Sequence, residues 1–166
     1  MSNIILITFD PDIPGEHASQ NGDWNNKIEC TGMSLGAMQK GSPQASAGLA
    51  GGTAEFHDIS IQKMADQASP VLIERCCEGR YVNKGVIRCL RQGEAGGQLV
   101  EWLTITMDKV MISNYQVSGH DGDGGLPHES LSLNFRKVKI KHSGIKDGSR
   151  SGSAEMGWDQ EQAAII

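Results

Sequence analysis

One short segment of this chain carries a full set of helix signals, and it stands alone in a sequence that otherwise reads as strands and glycine loops. In Met64-Ala-Asp-Gln-Ala-Ser-Pro-Val-Leu-Ile-Glu-Arg-Cys-Cys-Glu-Gly79, Ser69 predicts the N-cap, Pro70 suits the first turn, and Gly79 suits the stop. Leu72, Ile73, Cys76 and Cys77 fall at i, i+1, i+4 and i+5, which makes one apolar stripe. A sheet with a single short helix to cover it must curl round or find neighbours. The expected class is therefore mainly β with one short helix packed against it, and the shortage of cover points to assembly.

The 166 residues read as one domain, 1–166, with enough length for a core. Aromatics are 5%, so that core must be aliphatic. The 21 glycines gather in loops without a period of three, which excludes a collagen-like chain. A formal charge of −5 with mixed signs argues against nucleic acid as a partner, since phosphate binding needs a concentrated basic face. The basic cluster Arg136, Lys137, Lys139 and Lys141 alternates with apolar residues and reads as a solvated strand face, with a polar cavity as the other option. The apolar run Ile4–Phe9 is too short for a signal-peptide core or a membrane span, so the chain is expected to be made in the cytosol without a cleaved leader and without membrane insertion.

Strands are expected over 3–9, 27–35, 53–63, 81–91, 99–115 and 129–142, with a polar loop from Pro11 to Asn26. Residues 36–52 read as an extended Gly, Ala, Ser and Gln loop, and 144–157 as a loose segment that Trp158 ties back. A structureless run as long as 36–52 implies work outside its own subunit. Two strands change phase: Leu103, Ile105 and Met107 give way to Val110 and Ile112, and Leu131, Leu133 and Phe135 give way to Val138 and Ile140. Each slip reads as a bulge or sharp bend, the device by which a sheet closes into a barrel.

Catalytic constellations are not found. His120-Asp-Gly-Asp-Gly-Gly125 lacks the later ligands of a calcium loop, and His57 and Asp58, adjacent on a strand, point to opposite faces. His17, His120, His128 and His142 lie in or beside loops and read as solvated. Cys30, Cys76, Cys77 and Cys89 lack metal or redox spacing and read as buried structural thiols. No enzyme activity, cofactor or metal is expected. A metal-dependent hydrolase on His120, Asp121 and Asp123 ranks last, below a small secreted sugar-binding module using Trp24, Trp102 and Trp158.

A set of landmarks then runs nearly the length of the chain: Ile13-Pro-Gly-Glu16, Ile28-Glu29 through Gly36, Asp58-Ile-Ser-Ile-Gln-Lys63, and Asp66-x-x-Ser-Pro-x-Leu72. Gly79, Lys109-Val-Met-Ile-Ser-Asn-Tyr115, Glu129-Ser-Leu-Ser-Leu-Asn-Phe135-x-Lys-Val138 and Gly157-Trp158-Asp159 complete it. In order and spacing the chain resembles the haemolysin-coregulated protein (Hcp) family, the tube subunits of type VI secretion. The resemblance implies a closed β-barrel of two sheets with the helix against it, and a homohexameric ring that stacks into a secreted tube. It also implies a contractile sheath, a spike and a baseplate as partners, with effector proteins carried in the lumen. On that resemblance Gly36, Gly41, Gly48, Gly51 and Gly52 are the candidate ring-stacking loop, and Ile28, Cys30 and Ser34 are candidate lumen-facing residues. Thr31, Gly32 and the Cys76-Cys77 pair depart from the family's habit. A phage-like tail-tube protein is the nearest alternative.

Overall fold

Residues that alternate in the sequence alternate in space here, and the rows they form across neighbouring strands define the core. The computed structural model describes residues 3–18, 24–42, 50–92, 99–122, 125–146 and 149–166. Its strands are β1 (Asn3–Asp10), β2 (Ile28–Cys30), β3 (Gly32–Ser34), β4 (Ala37–Ser42), β5 (Ala50–Phe56) and β6 (Ile59–Met64). After the helix α1 (Ser69–Glu78) come β7 (Val82–Gln92), β8 (Leu99–Ser118), β9 (His128–Lys146), β10 (Ser149–Asp159) and β11 (Ala164–Ile165). All pairings are antiparallel, in the order β11-β10-β9-β8-β7-β1-β2, with β6 joined to β9 and β3 to β6.

Registers place Phe9, Gly85, Met107, Val138 and Trp158 in one row, and Ile7, Ile87, Ile105, Ile140 and Met156 in the next. Gly85 sits where a Cβ would come within 3.2 Å of Met107 Cε and 3.3 Å of Val110 Cγ2, so a side chain there would crowd the packing. A second layer, β3-β6 with the first part of β9, adds Ile59, Ile61, Leu131 and Leu133, all nearly or fully buried. Leu72 from α1 closes the same core.

The two layers share the β8–β9 ribbon. Residues 128–133 of β9 lie beside β6, whereas 137–146 lie beside β10. Between these stretches Lys109 and Arg136 stand opposite one another, and both strands change phase there while their register continues from Asp108↔Lys137 to Val110↔Phe135. Lys109 holds a left-handed backbone at φ 55°. The expected phase slips are therefore one shared kink, and the loss of register falls separately beside Ser113.

The closed barrel is not observed. β2 pairs β1 up to Cys30, Thr31 N donates to Gln62 O at 2.7 Å, and β3 pairs β6 from Gly32. The chain changes partner at Thr31, so the described strands wrap the core without a continuous ladder. The same break divides the strand expected over 27–35, and another at His57-Asp58 divides that over 53–63. Residues 36–52 are not a structureless loop: 37–42 and 50–56 form a separate two-stranded sheet, with 43–49 outside the described residues. Nor is the 144–157 segment loose where it is described: 144–146 end β9 and 149–157 pair along its edge as β10, with 147 and 148 outside the described residues. Backbone partners on that edge override a Gly- and Ser-rich composition. Trp158 ties back as expected, its ring 6.3 Å from Phe56.

The helix runs where expected, but Ser69 does not cap it. Ala68 is the N-cap residue, and its N–H donates to Asp66 Oδ1 at 3.0 Å, while Ser69 Oγ accepts from Asp66 N at 3.0 Å. Gly79 ends it at φ 63°, its N–H reaching Arg75 O and Cys76 O. Beneath that first turn lies a buried polar cluster. Lys63 Nζ donates to Glu129 Oε2 at 2.5 Å, to Asp66 Oδ1 and Met64 O at 2.9 Å, and to Ser69 Oγ at 3.3 Å. The side chains of Lys63 and Glu129 are 0% and 1% exposed, and the Tyr115 hydroxyl donates to the other Glu129 oxygen. Burial pushes the Glu129 carboxyl up, but hydrogen bonds from Lys63, Ser69 and Tyr115 and the Lys63 charge outweigh it and hold the carboxyl below its ordinary 4.5. Burial, with the Glu129 carboxylate, pushes the Tyr115 hydroxyl up.

The cysteines divide. Cys30 and Cys89 are buried as expected, and burial pushes the Cys30 thiol up to about 12, whereas Cys76 is half-buried and Cys77 exposed, against expectation. The exposed Cys77 lies at the edge of the apolar stripe, beyond the reach of the sheet.

Three outcomes are expected. Lys63→Met leaves Glu129 buried without its cation and should lower the unfolding free energy by about 3–5 kcal/mol in urea titrations, with Lys63→Met/Glu129→Leu recovering part of the loss. The Glu129 contribution is fully present above the unfolded carboxyl value and is lost as pH falls through the lower folded one. Melts from about pH 6 to about pH 3 should thus show a fall in Tm below about 4.5, and Glu129→Gln should flatten it. Alkylation of the native chain should modify Cys77 first, leaving Cys30 and Cys89 unmodified until denaturant is added.

Candidate functional site

The surfaces that could act are set by which side of the β8–β9 ribbon each residue takes. On the outward side of the second layer, Ser34, Ser60, Ser132 and Asn114 lie in register, followed by Gly32, Gln62, Ser130 and Gln116. These rows carry hydroxyls and amides and no charge. A concavity of about 450 Å³ opens there among Thr31, Gln62, Gln116, Ser118, His128 and Ser130, with Glu129 also in its lining.

Past the Lys109–Arg136 kink the outward face becomes charged, with Asp10, Lys84, Asp108 and Lys137 in one row of alternating sign that ends on the buried Asp159. Lys137 Nζ is 3.9 Å from Asp159 Oδ2. The basic cluster is thus interleaved with carboxylates and hydroxyls from its neighbours, which is the solvated-face reading.

Of the candidate lumen residues, Ser34 is exposed on the uncharged face. Ile28 and Cys30 are not on any surface: they are 0% and 5% exposed and pack in the core. The phase break at Thr31 is the reason, since it puts Ser34 on the opposite side from the alternation that Ile28 and Cys30 begin. Of the candidate stacking glycines, Gly36 immediately precedes β4, where a Cβ would meet His57 Nδ1 at 3.2 Å. Gly41 and Gly51 are register partners across the hairpin, Gly52 follows within β5, and Gly48 lies outside the described residues. The hairpin is hydrogen-bonded to no main-sheet strand among the described residues, and Met38 on it is 43% exposed.

The tryptophans do not form one platform. Trp24 packs over the Arg88 guanidinium at 5.8 Å, Trp102 over that of Arg91 at 5.7 Å and edge-on to His142, and Trp158 against Phe56. Arg88 is in register with the buried Leu6 and with Thr104, whereas Arg91 belongs to the opposite alternation with Asn3. His17 is buried rather than solvated, its Nδ1 2.9 Å from Glu29 Oε2. Asp58 accepts from Ser113 Oγ at 2.6 Å and Asn134 Nδ2 at 3.0 Å, bracing strands rather than orienting a base. Among the described residues no three His, Cys, Asp or Glu side chains are placed to share a metal ion, and Asp123 lies outside them.

What the sequence reading missed is the cluster of Lys63, Asp66, Ser69, Tyr115 and Glu129. Each stands within a landmark quoted for the family resemblance, and the signal available was a lysine at an inward strand position beside Ile59 and Ile61.

Comparison with known proteins agrees with this architecture. Protein hcp1 of Pseudomonas aeruginosa is 31% identical over 110 residues, which cover 63% of this chain and 64% of that protein, so the match spans less than two-thirds of the relative's length. A solved type six secretion system protein superposes with a TM-score of 0.88 at 21% identity, covering 99% of this chain and 100% of that one. Hcp1 from Salmonella typhimurium superposes with a TM-score of 0.77 at 20% identity, covering all of both chains. At those identities the structural likeness establishes the fold. The family model described as type VI secretion system effector, Hcp, matches residues 7–142. The chain, mainly β with one short helix and the family pattern over most of its length, belongs to the Hcp family of type VI secretion proteins.

Proposed function

We propose that this chain is a structural, secreted tube subunit. Six copies close a ring, rings stack into an inner tube, and contraction of a surrounding sheath drives the tube outwards. The spike and baseplate complete the apparatus, and effector proteins travel in the lumen. Made in the cytoplasm, the protein leaves through that apparatus. It acts by assembly and displacement, not by catalysis.

The observation that carries this reading is the β4–β5 hairpin. A two-stranded sheet is marginal by itself in water, and this one joins no other strand among the described residues. Its stability and its exposed Met38 call for a surface on another molecule. Exposed Ile73, Tyr81, Leu126 and Ile165 add apolar surface that a subunit buries and a monomer does not. Ring closure suits such a chain, because a heterologous contact lets one patch meet a different patch on the next copy.

For the lumen, Ser34 and its uncharged neighbours are the fitting surface. Hydroxyls and amides give passing cargo short-lived hydrogen bonds without the long-range hold of charge.

Negative-stain microscopy of the purified chain should show rings. Replacing residues 38–55 by a short linker should preserve single rings while reducing stacks, counted as stack length per ring. Stacks of unchanged length would remove the hairpin from the stacking contact, and a chain that stays monomeric at every concentration would remove the tube reading.

A further inference from the structure

An open groove of about 520 Å³ lies at the shared kink, lined by Tyr81, Lys109, Asn134, Arg136, Gln160 and Glu161. Part of it is firmly built. Gln160 N donates to Arg136 O at 2.8 Å, Gln160 Nε2 donates to Phe135 O at 2.9 Å, and Arg136 Nε lies 2.6 Å from Glu161 Oε2. The Arg136 charge is thereby answered within the chain. Lys109 is exposed and has no carboxylate partner among the described residues.

Lys109 also sits at φ 55°, where a side chain costs backbone energy and glycine does not. In a chain with 21 glycines, a long cation holds that position. A strained residue whose charge finds no partner among the described residues directs attention to a contact outside the protomer. Beside it Tyr81 is 56% exposed, two residues past the helix stop, and Ile73 and Cys77 lie one turn apart on the outer face of α1. The groove thus combines one unpaired cation, an exposed aromatic ring and a rigid polar rim.

We infer that this groove receives an acidic side chain from a second copy of the chain, forming one half of the contact between neighbouring subunits, an inference that rests on the ring reading above. A second copy fits because the chain carries a formal charge of −5, so the surface it offers is on balance acidic. A heterologous contact lets that surface differ from the basic groove it meets. Tyr81 supplies the kind of aromatic anchor that dominates such contacts.

The test is native mass spectrometry and sedimentation of the full-length protein across a concentration series at low and high salt. Lys109→Glu should raise the assembly midpoint by about tenfold or more, and Tyr81→Ala should raise it too. Lys109→Gly separates fold from contact: it should melt at a higher temperature as a monomer, because the strain is gone, yet assemble more weakly and with less dependence on salt. Rings in the unaltered protein with all three variants assembling at its midpoint would overturn the groove contact alone, whether or not the groove then binds some other protein. Absence of assembly in the unaltered protein would remove the tube reading and the groove contact together.

Discussion

The pairing of buried Lys63 with buried Glu129 holds the rest of this structure in place. A lysine and a glutamate, both out of water, tie β6 to β9, and Asp66 and Ser69 bring the first turn of α1 onto the same ammonium. Burying two charges is unfavourable unless every donor and acceptor is satisfied. Lys63 meets that condition with three oxygens besides the Glu129 carboxylate, and Tyr115 satisfies the other oxygen of Glu129. A misregistered β6–β9 pair would leave both charges stranded, so the cluster specifies register as well as the helix's seat. Leu72 then packs into a core whose walls are already set.

The second organising element is the kink shared by β8 and β9. Two long strands that change phase together keep their ladder intact while turning the inward face through to the other layer. One ribbon can therefore serve two layers, which is how a chain with one short helix among its described residues encloses a core. The outward face changes character at the same point, from hydroxyls and amides to an alternating row of charge. The kink thus separates rows of hydroxyls and amides from a row of alternating charge.

Sequence reasoning reached the helix, the long strands and both phase slips because each rests on local, periodic information: Pro70 and Gly79 punctuate, and apolar residues recur at fixed intervals. It failed where partners, not propensity, decide. The run 144–157 reads as loose because serine and glycine bring little of their own, yet β9 offers its residues 149–157 a free edge. Residues 37–42 and 50–56 pair with each other on equally thin local grounds. The family resemblance implies a lumen position for Ile28 and Cys30 beside Ser34, and the change of partner at Thr31 sends both into the core instead. The thiols show the same division, with Cys76 and Cys77 adjacent in sequence but differing in cover because one apolar stripe is wider than the sheet beneath it.

By itself the sequence determined the class of the protein: mainly β, one helix, an aliphatic core, family landmarks in order, and a balance of charge that disfavours nucleic acid. These depend on residue type and spacing along one dimension. Only the tertiary structure decided that the described strands stop short of a closed ladder, that Lys63 and Glu129 meet across 66 positions, and that Lys109 stands strained at the kink without a carboxylate partner among the described residues. Those outcomes depend on which strand lies beside which, and a lone sequence carries that information only through contacts that form once the chain has folded.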